Sequence, residues 1–175
     1  MSPLVAVFNF DMTLLNTSTL KADRDSRNWP AVKRGAKLLG FQPEIVDSIN
    51  ALARAGATIA VASSAPRWYL DDLLGRFGAP VHVILGNAGA DRVEKPGLSY
   101  RAKIKAGQLE HLKRQFPGAS FVFVGDDHDD AAGAAAANVP FIHACWGGAC
   151  GGMAGRHGIS VADLARTILD GFREG

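Results

Sequence analysis

Cysteine is nearly missing from this 175-residue chain, with Cys145 and Cys150 alone, and two are too few for a disulfide framework. A reducing cytoplasm is the compartment that fits. No apolar run reaches the roughly 18 residues that mark a membrane-spanning helix, so no membrane partner is expected. The opening MSPLVAVFNFD has no basic stretch ahead of its apolar segment and reaches acid at once, which argues against a signal peptide. Neither charge is in excess. A net charge of +2 excludes a polycation, and nucleic acid is not indicated as a partner. Internal repeats and low-complexity segments are absent. What is present is 47% hydrophobic and 21% charged, enough for one core and too little for two ordinary domains. Residues 1–175 are therefore expected to form a single domain.

Short, nearly continuous apolar runs stand at Leu4–Phe8, Thr58–Ala62, Val81–Leu85, Ser120–Val124 and Pro140–His143. Continuous rather than alternating hydrophobicity predicts strands covered on both faces, as in a parallel sheet. Helical spacing falls between them. Pro43–Arg54 carries Ile45, Val46, Ile49 and Leu52. Pro66–Phe77 carries Trp68, Leu70, Leu73 and Leu74, with Gly78 as its stop. Ala102–Phe116 ends at Pro117-Gly118, Asp129–Asn138 is rich in alanine, and Ser160 can cap a last helix over Val161–Phe172. The alternation predicts a doubly wound α/β fold: a Rossmann-like three-layer sandwich around a five-stranded parallel sheet. Two stretches break the rhythm: Asn16–Leu39, polar and basic, and Asn87–Tyr100, rich in glycine and charge. Residues 16–40 read as a small cap-like insertion after the first strand.

Open parallel sheets gather reactive groups beyond the carboxyl ends of their strands. After the first strand come Asn9, Asp11 and Thr13, and after the second Ser63 and Ser64. After the fourth come Asp126, Asp127, Asp129 and Asp130, while Lys103 and Lys105 open the preceding helix. Carboxylates, hydroxyls and a lysine at one sheet edge make a site for Mg2+ and phosphate, because Mg2+ prefers hard oxygen ligands and keeps substrate phosphate in its shell. A helix start also favours aspartate, but that accounts for one or two of the four.

The ordered set VAVFNFDMTLL, IAVASS, a helix-opening lysine and FVFVGDDHDD resembles the four motifs of the haloacid dehalogenase superfamily, across nearly the whole chain. The resemblance implies a phosphomonoester phosphatase working through an aspartyl-phosphate with Mg2+ as cofactor. It puts Asn9 at the nucleophile position, Asp11 at the general acid/base, and Ser63, with Ser64 beside it, at the phosphate. Asn9, the Asp11 carbonyl, Asp126 and Asp130 fall at the metal. Lys105 or Lys95 would be the motif lysine. Lys105 is preferred, because Leu109 and Leu112 turn its helix face inward, whereas Lys103 points elsewhere. Arg67, just after the second motif, is placed to touch substrate.

The family's first motif has aspartate where this chain has Asn9. A neutral amide is a poor nucleophile and brings no negative charge, so the chain as it stands is expected to be nearly inactive. Two explanations are open: a deliberate isosteric exchange that holds substrate without turnover, or a natural pseudoenzyme that kept its pocket. A decayed site would more often lose several groups, which favours the exchange.

The 54 positions from Asn9 to Ser63 leave room for only a small cap. The pocket is expected to be open or covered by a second copy in a homo-oligomer, and to take a phosphorylated small molecule or a larger phosphoester. Arg24, Arg27, Lys33 and Arg34 around Trp29 either draw an anion or form a solvated basic face with Trp29 packed inward. The spacing of His143, Cys145, Cys150 and His157 is too loose for structural zinc. His128 reads as an exposed helix-start histidine. Carbon–halogen hydrolysis, which needs no metal, is disfavoured by Asp126–Asp130, and phosphonate cleavage by the small insertion.

Overall fold

The computed structural model describes residues 2–87, 93–147 and 159–173. Five parallel strands form one sheet: β1 (Leu4–Phe8), β2 (Thr58–Ala62), β3 (Val83–Leu85), β4 (Ser120–Gly125) and β5 (Phe141–His143), in the order β3-β2-β1-β4-β5. In the centre, Val7 lies opposite Ala60 on one side and Phe123 on the other. Every residue of β1 is buried, whereas the edge strand β3 is only partly covered. Continuous apolar sequence therefore marks the middle of the sheet better than its edge.

Alternate residues of β1 serve opposite cores, as a strand's period of two requires. Leu4, Ala6 and Phe8 pack with Ile45, Ile49 and Leu52 of α3 (Pro43–Arg54), Leu70 and Leu73 of α4 (Arg67–Leu74), and Leu164 and Ile168 of α7 (Leu164–Arg173). Val5 and Val7 pack with Leu109 and Leu112 of α5 (Tyr100–Gln115) and Ala134 of α6 (His128–Ala136). The doubly wound, Rossmann-like three-layer sandwich expected from the sequence is the fold that forms.

Boundaries differ where side chains or caps intervene. The third strand begins at Val83 rather than Val81, because the His82 ring accepts the Ile59 N–H at 2.9 Å in place of a main-chain acceptor. α4 stops at Leu74, since Arg76 and Phe77 donate to carbonyls three residues back and tighten into a turn. α5 starts at Tyr100, capped by Ser99, whose Oγ accepts from the Ala102 N–H. The last helix opens with a 3-10 turn, Val161–Asp163, capped by Ser160 as expected.

The stretch after β1 holds a 3-10 turn (Ser18–Leu20) and two short helices, α1 (Lys21–Asp25) and α2 (Trp29–Ala36). Leu20, Val32 and Ala36 bury themselves in the same core as α3 and α4. Trp29 is half-buried and meets Trp68 edge-on, ring centroids 5.5 Å apart. Cys150 and His157 lie outside the described residues.

Candidate functional site

Three strands deliver the cluster. β1 ends at Phe8 and the chain turns sharply, with the Thr13, Leu14 and Leu15 N–H groups all donating to the Phe10 carbonyl. This turn needs a left-handed residue, which is Met12 at φ 62°. It leaves Asn9 buried at the end of the strand and Asp11 half-exposed beyond it. β4 runs into Gly125, Asp126 and the start of α6, whose N-cap Asp127 accepts from the Asp130 N–H at 2.9 Å. The capping bond turns Asp130 back under Asp126.

Asn9 sits between opposite charges. Its Oδ1 accepts from the Lys105 ammonium at 2.7 Å and the Phe10 N–H at 2.8 Å. Its Nδ2 donates to Asp126 Oδ1 and Asp130 Oδ2, both at 2.9 Å, and to the Asp11 carbonyl at 3.2 Å. These partners leave the amide one orientation. Lys105 also donates to the Ala62 carbonyl at 2.8 Å and lies 3.0 Å from Asp130 Oδ1, with both side chains fully buried. Thr13 donates to Asp126 at 3.1 Å, and the Asp126 carbonyl lies 3.0 Å from His143 Nε2.

The buried ammonium of Lys105 pairs with Asp130, whereas Asp126 accepts from the neutral donors Asn9 and Thr13. Burial, then repulsion from Asp130 and Asp127, pushes the Asp126 carboxyl up to about 7. Burial also raises Asp130, against the pull of Lys105. Asp11 faces the other way: its Oδ1 accepts from Thr17 at 2.8 Å and Tyr69 at 3.1 Å and pairs with Arg24. Burial and the Asp11 charge push the Tyr69 phenol well above its ordinary range, so it stays a donor.

Two close approaches hold this geometry. A Cβ on Gly133 would lie 2.5 Å from Lys105 Cβ, so glycine lets α6 press onto α5 where the lysine leaves it. A Cβ on Gly125 would lie 2.5 Å from Asp130 Oδ2 and 2.7 Å from its Cβ and Cγ. Asp130 is fully buried and cannot swing aside. Gly125→Ala is therefore expected to cost about 1–3 kcal/mol. Urea denaturation checks this as a lowered midpoint at unchanged slope.

The other sequence candidates divide. Ser63 is buried at the end of β2, and its Oγ accepts the Ala65 N–H at 3.1 Å, which leaves the hydroxyl proton free to donate. Ser64 is half-buried beside it. Lys95 is exposed, and Lys103 pairs with Glu94 at 3.1 Å, so Lys105 is the lysine brought to Asn9. Arg67 is exposed, and its bonds run to Asp71 at 2.7 Å and the Ile84 carbonyl at 2.9 Å rather than to the cluster. Gln108 was missed. Its Nε2 lies 2.8 Å from the Ser63 carbonyl, 3.1 Å from that of Leu85 and 3.2 Å from that of Gly86, tying the ends of β2 and β3 together. The signal was its place three residues after Lys105, on the same helix face. A cavity of about 320 Å³ near Leu4, Phe121 and Ile168 has no titratable side chain in its lining, so the chemistry belongs to the sheet edge.

A doubly wound sheet with paired aspartates, a buried lysine and a hydroxyl at its carboxyl edge defines a class of phosphate-handling α/β hydrolases. Residues 27–135 match the haloacid dehalogenase-like hydrolase family, and the chain belongs to it. Solved structures share the fold. CbbY from Rhodobacter sphaeroides in complex with phosphate is 19% identical with a TM-score of 0.61, covering 97% of this chain and 100% of that one. Protein Tyrosine Kinase A of Mycobacterium tuberculosis is 21% identical with a TM-score of 0.69, covering 95% and 98%. A predicted phosphoglycolate phosphatase of Haemophilus somnus is 16% identical with a TM-score of 0.63, covering 93% and 96%. No curated protein matches the sequence. Among the described residues no helix is long and apolar enough to cross a membrane.

Phosphatases of this family generally depend on Mg2+. The Asp126 and Asp130 carboxylates and the Asp11 carbonyl are the hard oxygens that ion takes. Yet the point on which they converge is held by Asn9 Nδ2, an N–H donor. Rotating the amide to offer oxygen there would set its NH2 against the Lys105 ammonium and the Phe10 N–H. With asparagine at position 9 the residues present do not fit a cation. Aspartate, with two acceptor oxygens, would serve both sides.

Proposed function

We propose that this chain is a phosphomonoester phosphatase scaffold in an inactive Asp-to-Asn form. With aspartate at position 9 it hydrolyses phosphate monoesters through an aspartyl-phosphate, in a Mg2+-dependent reaction. The carrying observation is the setting of Asn9, held between a buried ammonium and two carboxylates with Asp11 two residues on. In the aspartate form, one carboxylate oxygen attacks phosphorus while Lys105 neutralises the phosphoryl oxygens. Ser63 donates its hydroxyl to a phosphate oxygen. Asp11 protonates the leaving alcohol and then takes a proton from the attacking water. An aspartate at position 9, the Asp11 carbonyl, Asp126 and Asp130 would hold the ion, which would supply further positive charge to the transferring group.

Residues 16–40 are the small cap, and Arg24 is the cap residue that reaches the site. So small a cap suits either a larger phosphoester or a homo-oligomer that covers the mouth over a small one. The decisive experiment is turnover of p-nitrophenyl phosphate and a panel of phosphorylated metabolites by the chain and by Asn9→Asp, with Mg2+ and with EDTA. Turnover only by the variant with Mg2+ is expected. An inert variant overturns the reading.

A second reading is a natural binding protein that holds a phosphorylated ligand without turnover. It is favoured by one observation: both ends of the Asn9 amide are satisfied as they stand. The phosphatase name of one structural relative and the kinase name of another show that the fold alone does not choose the reaction.

A further inference from the structure

The acidic pair at the carboxyl edge of the sheet poses a charge problem, and Asn9 lies at its centre. Asp126 and Asp130 are 7% and 0% exposed, and Lys105 is the buried ammonium beside them. An aspartate at position 9 would make three buried carboxylates against one ammonium. Such an excess needs a cation, because unpaired buried charge costs several kcal/mol. Asparagine removes one negative charge. It also turns an NH2 group onto the oxygens that would otherwise bind the ion, at 2.9, 2.9 and 3.2 Å.

The opposite end of the amide fixes this orientation. Asn9 Oδ1 lies 2.7 Å from Lys105 Nζ and accepts the Phe10 N–H at 2.8 Å. Both partners are donors only. Lys105 is further held by the Ala62 carbonyl and Asp130, in a helix pressed against Gly133. It cannot retreat to accommodate a rotated amide.

We infer that the Asn9 carboxamide stands in for the divalent cation, bridging Asp126, Asp130 and the Asp11 carbonyl, so that this chain has no Mg2+ site. The inference rests on the phosphatase-scaffold reading for where the ion would lie, and it deepens that reading. The substitution removes the nucleophile and the metal requirement together.

The test is calorimetric titration of Mg2+ into the full chain, Asn9→Asp and Asn9→Ala, with melting temperatures taken in Mg2+ and in EDTA. The chain itself should show no saturable heat and the same melting temperature in both. Asn9→Asp should bind Mg2+ at least about tenfold more tightly, which is about 1.4 kcal/mol, and melt higher with it. Asn9→Ala removes the bridging donors but keeps the acidic pair, so it should also gain Mg2+ binding. A variant that folds only when Mg2+ is supplied counts as binding. Mg2+ affinity in the unaltered chain equal to that of Asn9→Asp overturns the inference, and so does the failure of both variants to bind. Turnover of p-nitrophenyl phosphate separates the two readings: an Asn9→Asp protein that binds Mg2+ but hydrolyses nothing sinks the phosphatase reading and leaves this one standing.

Discussion

Asn9→Asp is expected to raise Mg2+-dependent turnover of p-nitrophenyl phosphate by at least about 10⁴-fold, the order of loss seen when a covalent nucleophile is removed from an enzyme. The exchange is isosteric, so the new carboxylate inherits a built position. One oxygen receives the Lys105 ammonium and the Phe10 N–H where Asn9 Oδ1 does now. The other replaces Nδ2 and faces Asp126 and Asp130. That second contact changes from attraction to repulsion, which is why the gain should vanish in EDTA. Activity that persists in EDTA would mean that the acidic pair is not the ion's seat. Steady-state kinetics checks the form of the effect. A nucleophile acts in the transition state, so the change should lie in kcat rather than in KM.

The parts of this site visible in the sequence were those tied to strand ends. Asn9, Asp11, Ser63, Asp126 and Asp130 each follow a strand within a few residues, and apolar runs locate strands well in a parallel sheet. Lys105 was legible from helix periodicity, since Leu109 and Leu112 share its buried face. Contacts set by loops were not legible. Arg24 reaches Asp11 from a two-helix insertion, and no periodicity fixes how such an insertion docks. The Tyr69 ring is buried in the core, and only the folded chain brings its hydroxyl to Asp11. The contacts of Arg67 were likewise not legible. Its place in sequence beside Ser63 is that of a substrate contact, and only the folded chain pairs it with Asp71 and the Ile84 carbonyl. The His82 ring that shortens β3 is equally invisible to an apolar-run criterion.

The largest loss of stability is expected at the same lysine. Lys105→Met keeps the length of the side chain but deletes the ammonium that faces Asp130 at 3.0 Å, Asn9 at 2.7 Å and the Ala62 carbonyl at 2.8 Å. Both members of the ion pair are fully buried. Breaking such a pair from one side typically costs about 3–5 kcal/mol, because the remaining carboxylate is desolvated and unmatched. For a chain of this size that corresponds to a fall in melting temperature of roughly 10 °C. Adding Asp130→Asn should recover much of the loss. It removes the stranded charge while keeping an oxygen to accept the Asp126 N–H, which Asp130 Oδ2 now does at 3.1 Å. The contrast is Lys21 with Asp25, an ion pair shorter still at 2.5 Å but with side chains 71% and 63% exposed. Lys21→Ala should leave the melting curve where it was, since solvent screens that pair. A Lys105→Met protein that melts with the parent would show that the ammonium is replaceable. A double variant no more stable than the single one would trace the loss to repacking around the methionine rather than to Asp130.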